Sequence, residues 1–582
     1  MNTAALNATK PAPTPRLSSV RSWIVLSLLL GCFGGLTARA VYLQGLNQAF
    51  LQAKGEKRYT RSLEITATRG VIVDRHNELL ATSTPVESVA ANPAMASDIM
   101  TPDQQRKLAK LLQMDTASLT RKLADSDREF VYLKRQLAPE QAAKVVELDI
   151  PSVFLQREFR RVYPAGEELA HVIGFTNIDD EGQEALELAL EDELRGTPGS
   201  RRVLRDRKGR IVEDLDDIRA PKHGARITLT IDAKIQHVAF RELKKAMAEH
   251  RAKAGGIVVL DAQTGEVLAM ANFPTYDPNQ RALVDPARMR NRTVTDLFEP
   301  GSTLKPFTVA TALELGVVTP ATVIDTAAGQ LTIGKATIHD VHPSGALTVA
   351  QVIQKSSNVG SAKVALRMAP EKMWKVFNAV GFGTPPQSGF PGEVSGLLRA
   401  HATWRPIEQA TMSYGHGISV SLLQLARAYS IFATDGELKS PTLIKKDGTP
   451  ESKRVISVET ARAVRNMLEM AVKPGGTAPR AQVVGYRVAG KTGTAHKLEG
   501  RGYAAKRYIS SFVGFAPVSN PRLIVAVMVD EPSAGQHYGG LVAAPVFSEV
   551  VSGALRLMNV ALDAPMEKIV LPAAMPEIKE EV

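Results

Sequence analysis

Three short groups of residues in this sequence have the types and spacing to do chemistry together. The first is Ser302-Thr303-Leu304-Lys305, set within Phe298-Glu299-Pro300-Gly301-Ser302-Thr303-Leu304-Lys305-Pro306. A serine hydroxyl is a weak nucleophile until a base takes its proton. On a helix, positions i and i+3 share one face, so the Lys305 amine can approach the Ser302 hydroxyl. Gly301 permits a sharp entry and Pro306 is tolerated in a first turn, which places Ser302 at a helix start. Free N–H groups at that start would face developing negative charge. Taken alone, the pattern also fits an ordinary helix beginning.

The second group is Ser356-Ser357-Asn358, between a helix expected from Ala346 and another from about Val359. In a tight interhelical turn, the Ser356 hydroxyl could relay a proton and the Asn358 amide could bind a peptide carbonyl. By itself this group is a helix cap. The third is Lys491-Thr492-Gly493-Thr494, after the strand-like Tyr486-Arg487-Val488-Ala489. Gly493 would let a substrate backbone lie along the strand edge, and Thr492 and Thr494 offer hydroxyls to a terminal carboxylate. Lys491 supplies positive charge for that carboxylate and for the serine relay. Alone, this is a polar strand end. In this order, at a helix start, between helices and on a strand, the three form the S-x-x-K, S-x-N, K-T-G signature of penicillin-recognising serine enzymes.

The elements that must position these groups need a large frame. At 582 residues the chain exceeds one ordinary core, so several domains are expected. A net charge of +11 without a basic block or a nucleic-acid motif reads as a solvated surface, with attraction to anionic lipid headgroups or a carboxylate-bearing substrate as the alternative. The single cysteine, Cys32, excludes an intrachain disulfide framework and a cysteine-based metal site.

Lys10, Arg16 and Arg21 precede seventeen uncharged residues, Ser22 to Ala38, and Arg39 follows. This is a short bilayer span that a snorkelling Arg39 can extend, with positive charge on the cytoplasmic side. Ala38-Arg39-Ala40 formally fits a cleavage site, but the internal Arg and the long basic leader favour a retained anchor.

The expected order is a cytoplasmic tail (1–21), a transmembrane anchor (22–43), a non-catalytic pedestal (60–222), a catalytic domain (225–560) and a flexible tail (561–582). The fold class is multidomain: a transmembrane helix, an elongated α+β pedestal, and an α/β domain of β-lactamase-like type with a central antiparallel sheet flanked by helices. Strand–turn–strand patterns fall at 68–81 and 256–270. A helix is expected over 232–248, capped by Asp232, and helices dominate from 303 to about 470. Strands return at 486–494, 511–515 and 523–529, before a last helix at 544–557.

The sequence resembles class B penicillin-binding proteins of the division-specific type over nearly its whole length. The likeness is carried by Arg69-Gly70-Val71-Ile72-Val73-Asp74-Arg75, His171-Val172-Ile173-Gly174-Phe175-Thr176-Asn177, Met289-Arg290-Asn291-Arg292-Thr293 and Phe298 to Pro306. Lys355-Ser356-Ser357-Asn358-Val359-Gly360 and Tyr538 to Phe547 complete it.

The resemblance implies a peptidoglycan D,D-transpeptidase acting at the septum. Ser302 would attack the D-Ala–D-Ala carbonyl of a stem peptide, with Lys305 as base, Ser356 as relay and Asn358 holding the peptide amide. Lys491, Thr492 and Thr494 would hold the carboxylate, with Gly493 letting the substrate backbone lie against the strand, and the N–H groups of Ser302 and Thr494 would form the oxyanion hole. β-Lactams would acylate the same serine. The implied setting is the inner membrane, single-pass, with the catalytic domain periplasmic at the division site. The implied partners are divisome proteins, including the glycan polymerase FtsW.

His416, in Tyr414-Gly415-His416-Gly417, and His496 depart from the family pattern and are expected to tune pH response or drug affinity. His339-Asp340-Val341-His342 is only faintly metal-like, so no metal and no cofactor is assigned. A carboxypeptidase, a β-lactamase or sensor of the same superfamily, and a division scaffold are the alternatives.

Overall fold

The structure is a computed structural model that describes residues 18–567, without 49, 52–53, 55–59, 126, 129, 151, 206–210, 281–284, 327, 449–450 and 501. Residues 1–17 of the expected cytoplasmic tail and 568–582 of the expected C-terminal tail lie outside the described residues. The chain divides into two compact units, residues 1–66 with 198–222, and residues 67–197 with 223–582.

In the first unit, Ser19–Val41 is one helix of 23 residues with none buried. At 1.5 Å per residue it spans ~35 Å, enough to cross the ~30 Å hydrocarbon layer of a bilayer. The helix is apolar as well as long enough to cross a membrane. A wider turn, Tyr42–Leu46, continues it. The same unit holds an antiparallel three-stranded sheet, Thr60–Ile65, Gly199–Arg205 and Ile211–Arg219, with Gly199–Arg205 in the middle.

The second unit is built on a five-stranded sheet in the order Val267–Phe273, Ala254–Asp261, Leu523–Asp530, Gly502–Ala516, Ala489–Glu499. Every pair in it is antiparallel, as expected. Ala254–Asp261 and Leu523–Asp530 are buried at every position, because helices cover both faces of the sheet. On one face pack Ala233–Glu249 and Gly539–Leu557, through residues such as Leu243, Val527 and Phe547. Asp232 caps the first of these helices, its Oδ1 accepting from the N–H of Lys234 at 3.0 Å and of Ile235 at 3.1 Å. Gly539–Leu557 is also long and apolar, but over half of its apolar stretch is buried in this core.

The opposite face carries the helical lobe. Its central helix, Lys305–Glu314, is buried over its first eight residues. Phe307 meets Phe382, Tyr429 and Phe432 with ring centroids 5.3, 5.4 and 5.0 Å away. Helices dominate 303–470, as expected. Short hairpins interrupt them: Gln330–Ile333 with Ala336–His339, Val323–Asp325 with Ala346–Thr348, and Glu437–Lys439 with Ser452–Arg454. Gly334, at φ +63°, supplies the tight turn of the first hairpin between β-branched residues that favour strands.

Residues 67–197 form the rest of this unit. Leu79–Ala91 pairs with both Val131–Leu137 and Val153–Val162. Three helices cover one side through Leu108, Leu119 and Val145, packed with Val89 and Leu133. Glu187 bridges two buried guanidiniums, 2.7 Å from Arg69 Nε and 2.7 Å from Arg161 Nε.

Candidate active site

Ser302 sits in a 3-10 turn, Gly301–Leu304, that runs straight into the helix Lys305–Glu314. Gly301 enters at φ +55°, a left-handed conformation that suits glycine. The i, i+3 geometry holds: Lys305 Nζ donates to Ser302 Oγ at 2.7 Å.

The same amine donates to the backbone oxygen of Ser356 at 2.6 Å and to its hydroxyl at 3.0 Å. Ser356 Oγ in turn donates to Ser302 Oγ at 3.0 Å. Two hydroxyls and one fully buried amine therefore form a closed triangle through which a proton can pass. Tyr414 flanks it, its ring centroid 6.0 Å from Lys305 Nζ.

The position of Ser356 depends on an unusual backbone. It ends the helix Val349–Lys355 at φ 62°, ψ 33°, in the left-handed region, and the helix Asn358–Ala365 starts two residues later. Ser357 caps that second helix, its Oγ accepting from Gly360 N at 2.8 Å. Asp340 braces the turn, accepting from Ser357 Oγ at 2.5 Å and from Val359 N at 2.9 Å. Asn358 Nδ2 donates to the His339 carbonyl at 3.3 Å. The segment 339–342, singled out in the sequence for its ligand-like spacing, thus supports the Ser-Ser-Asn turn.

Lys491, Thr492, Gly493 and Thr494 lie on the strand Ala489–Glu499, which is longer than expected and forms one edge of the sheet. Lys491 Nζ donates to Thr492 Oγ1 at 3.2 Å, and Thr492 Oγ1 donates to Thr477 Oγ1 at 3.1 Å. Thr494 Oγ1 accepts from Gly539 N at 3.0 Å. A Cβ on Gly493 would stand 2.8 Å from the Pro300 carbonyl and 2.4 Å from Ser511 Oγ. Glycine at this position lets the motif strand press against the turn that carries Ser302. Thr494 also approaches that turn, its carbonyl 3.2 Å from where a Cβ on Gly301 would lie.

His416 and His496 stand on the same side of the site, each near Tyr503, with ring centroids 6.1 and 6.2 Å away. Burial, then the charge of Lys305, then His496 lower the pKa of His416 to about 4. Its imidazole is therefore neutral at pH 7.

Sequence reasoning missed Asp340, Thr477 and the roles of Glu299 and Tyr503. Glu299 stood inside the motif already quoted, but nothing in its spacing points to partners more than a hundred residues away. Thr477 had no signal.

Ser302 hydrogen-bonded to a buried lysine, Ser356 closing the triangle and a Lys-Thr-Gly edge strand alongside are the arrangement of a penicillin-recognising active-serine enzyme. The chain belongs to the penicillin-binding proteins: residues 255–552 match the penicillin binding protein transpeptidase domain, and residues 64–229 match the penicillin-binding protein dimerisation domain.

It is 44% identical over 554 residues to the probable peptidoglycan D,D-transpeptidase PenA of Neisseria meningitidis serogroup B, covering 95% of both chains. It is 39% identical over 569 residues to the peptidoglycan D,D-transpeptidase FtsI of Escherichia coli K12, covering 96% of both. Among solved structures, the transpeptidase domain of Burkholderia pseudomallei penicillin-binding protein 3 is 51% identical, covers 58% of this chain and 98% of its own, and superposes with a TM-score of 0.54. Penicillin-binding protein 3 of Mycobacterium tuberculosis, complexed with aztreonam, is 30% identical and covers 87% of this chain and 99% of its own, at a TM-score of 0.67.

Proposed function

We propose that this chain is a membrane-anchored peptidoglycan D,D-transpeptidase that cross-links stem peptides during septal wall synthesis, with Ser302 as its nucleophile. The observation that carries the reading is the triangle Ser302–Lys305–Ser356, with sides of 2.7, 3.0 and 3.0 Å. Ser302 Oγ attacks the carbonyl between the two terminal D-Ala residues while Lys305 accepts its proton. The Ser302 and Thr494 N–H groups stabilise the tetrahedral oxyanion. The C–N bond then breaks, Ser356 relays a proton to the departing amine of D-Ala, and a serine ester remains. An amine from a neighbouring strand attacks that ester, forming the cross-link and restoring Ser302.

The donor peptide adds as an extended strand to the open edge of Ala489–Glu499. Asn358 holds its amide, and Lys491, Thr492 and Thr494 hold its carboxylate, at the edge that Gly493 keeps close to the serine. A β-lactam acylates Ser302 by ring opening, so no leaving group departs and the ester persists.

The septal assignment is supported by the likeness to FtsI. The positive charges before Ser19–Val41 support a cytoplasmic N-terminus, which puts the remainder in the periplasm. The anchor and the pedestal, with boundaries near 22–43 and 60–222, would contact division partners such as FtsW, leaving 225–560 for catalysis.

Intact mass after incubation with a β-lactam tests the nucleophile. The full chain should gain the mass of one drug molecule and Ser302→Ala none. An adduct on Ser302→Ala would refute the assignment.

A further inference from the structure

Glu299, three residues before the nucleophile and only 6% exposed, is tied to two other segments of the cleft. Its Oε1 accepts from Gly417 N at 2.8 Å. Both of its oxygens accept from the phenol of Tyr503, at 3.3 and 3.1 Å. Tyr503 opens the strand Gly502–Ala516, beside the tip of the hairpin whose other arm carries Lys491–Thr494. Phe298, the neighbour of Glu299, is locked to Val420 by reciprocal backbone hydrogen bonds of 3.1 and 3.0 Å. Between these ties the backbones almost touch, since a Cβ on Gly415 would lie 2.2 Å from the Gly301 carbonyl.

A carboxylate is an expensive group to bury, and its two oxygens here serve one backbone N–H and one half-exposed phenol. An apolar side chain would fill the same space more favourably if packing alone were required. The carboxylate instead joins three segments that carry Ser302, the 415–420 wall and the hairpin of the motif strand. Their mutual placement sets the distance between Ser302 and the Thr494 N–H, where small displacements weigh on rate.

We propose that Glu299 is a positioning residue for the acylation step, and that Tyr503 acts on Ser302 through it. The proposal rests on Ser302 being the nucleophile. Tyr503 fixes the carboxylate, which holds the nucleophile turn against the 415–420 wall and brings the hairpin arm into register with the serine.

The test is two-step acylation of the full-length, detergent-solubilised chain by a fluorescent penicillin, separating the non-covalent dissociation constant from the first-order acylation rate. Tyr503→Phe removes one oxygen from a half-exposed side chain, so its melting temperature should stay near that of the parent chain. Its acylation rate should fall about tenfold, the size of one hydrogen bond to a charged acceptor, with non-covalent binding within about twofold. Glu299→Gln should lose at least as much, and the double variant should be no slower than Glu299→Gln alone.

An unchanged acylation rate in Tyr503→Phe would overturn the proposal, as would losses that multiply in the double variant or appear only in non-covalent binding. Labelling that survives Ser302→Ala would remove the nucleophile itself. Normal dependence on Ser302 with an unaffected Tyr503→Phe would remove the brace alone.

Discussion

Replacing Ser356 by Gly and by Ala should separate activity from stability. Ser356 is held at φ 62°, ψ 33°, where a side chain crowds the following carbonyl. That conformation costs a non-glycine residue about 1–2 kcal/mol. Glycine escapes this strain but loses about 0.5–1 kcal/mol more chain freedom on folding. Ser356→Gly should therefore be more stable than Ser356→Ala by roughly 0.5–1 kcal/mol.

Both variants lose the hydroxyl that joins Lys305 and Ser302 at 3.0 Å each, and both keep the backbone oxygen that accepts from Lys305 at 2.6 Å. Positioned proton transfer contributes about 10²–10⁴ in rate. Acylation by a fluorescent penicillin should therefore slow by at least about a hundredfold, equally in the two variants. Denaturant melts of the same preparations give the stability order. Acylation within about threefold of the parent chain would refute the relay, because so small a loss leaves no room for a proton-transfer role. A glycine variant no more stable than the alanine variant would refute the strain.

Two further outcomes follow from buried charge. Glu187→Leu takes the carboxylate from Arg161, whose side chain is 0% exposed, and leaves Arg69 with Glu191 at 2.8 Å, and should destabilise the chain by about 3–5 kcal/mol in thermal or denaturant melts. Replacing all three residues together by well-packed apolar ones should cost far less, and equal losses would contradict the account.

The second outcome concerns pH. The pKa of His416 lies near 4 in the folded chain, so the unfolded chain takes up a proton first as pH falls below about 6.5. The stability this group confers is thus complete above pH 6.5 and lost progressively towards pH 4. His416→Phe should flatten that part of the melting-temperature profile. The buried His171, also lowered to about 4, keeps a residual slope, and parallel profiles for the two proteins would contradict the assignment.

The Ser302–Lys305 pair was legible because it is local, whereas Ser356, 54 residues on, was joined to it only through the three-motif signature. Ser302 and Lys305 are joined by helical spacing, and Ser356 lies in a turn between two capped helices. The sheet was legible where strands are buried on both faces, as in Leu523–Asp530, which was expected at 523–529. The hairpins at 323–348 were not, because short β-branched segments lie inside a region with helical periodicity on both sides.

The last helix begins at Gly539, earlier than the expected Ala544, and carries Pro545 internally. Two glycines masked its start. Long-range supports left no trace in spacing: Asp340 beneath Ser357, Thr477 behind Thr492 and Tyr503 on Glu299 are set by tertiary approach. Asp340 lies in a segment that was only faintly metal-like and to which no metal was assigned, and its carboxylate braces the Ser357 turn.

The most direct measurement of the central claim is product analysis with the full-length, membrane-anchored chain and glycan strands bearing pentapeptide stems. The account predicts cross-linked stems with one D-Ala released per cross-link, and neither product with Ser302→Ala. D-Ala release without cross-links in the presence of acceptor stems, or cross-links made by Ser302→Ala, would contradict it.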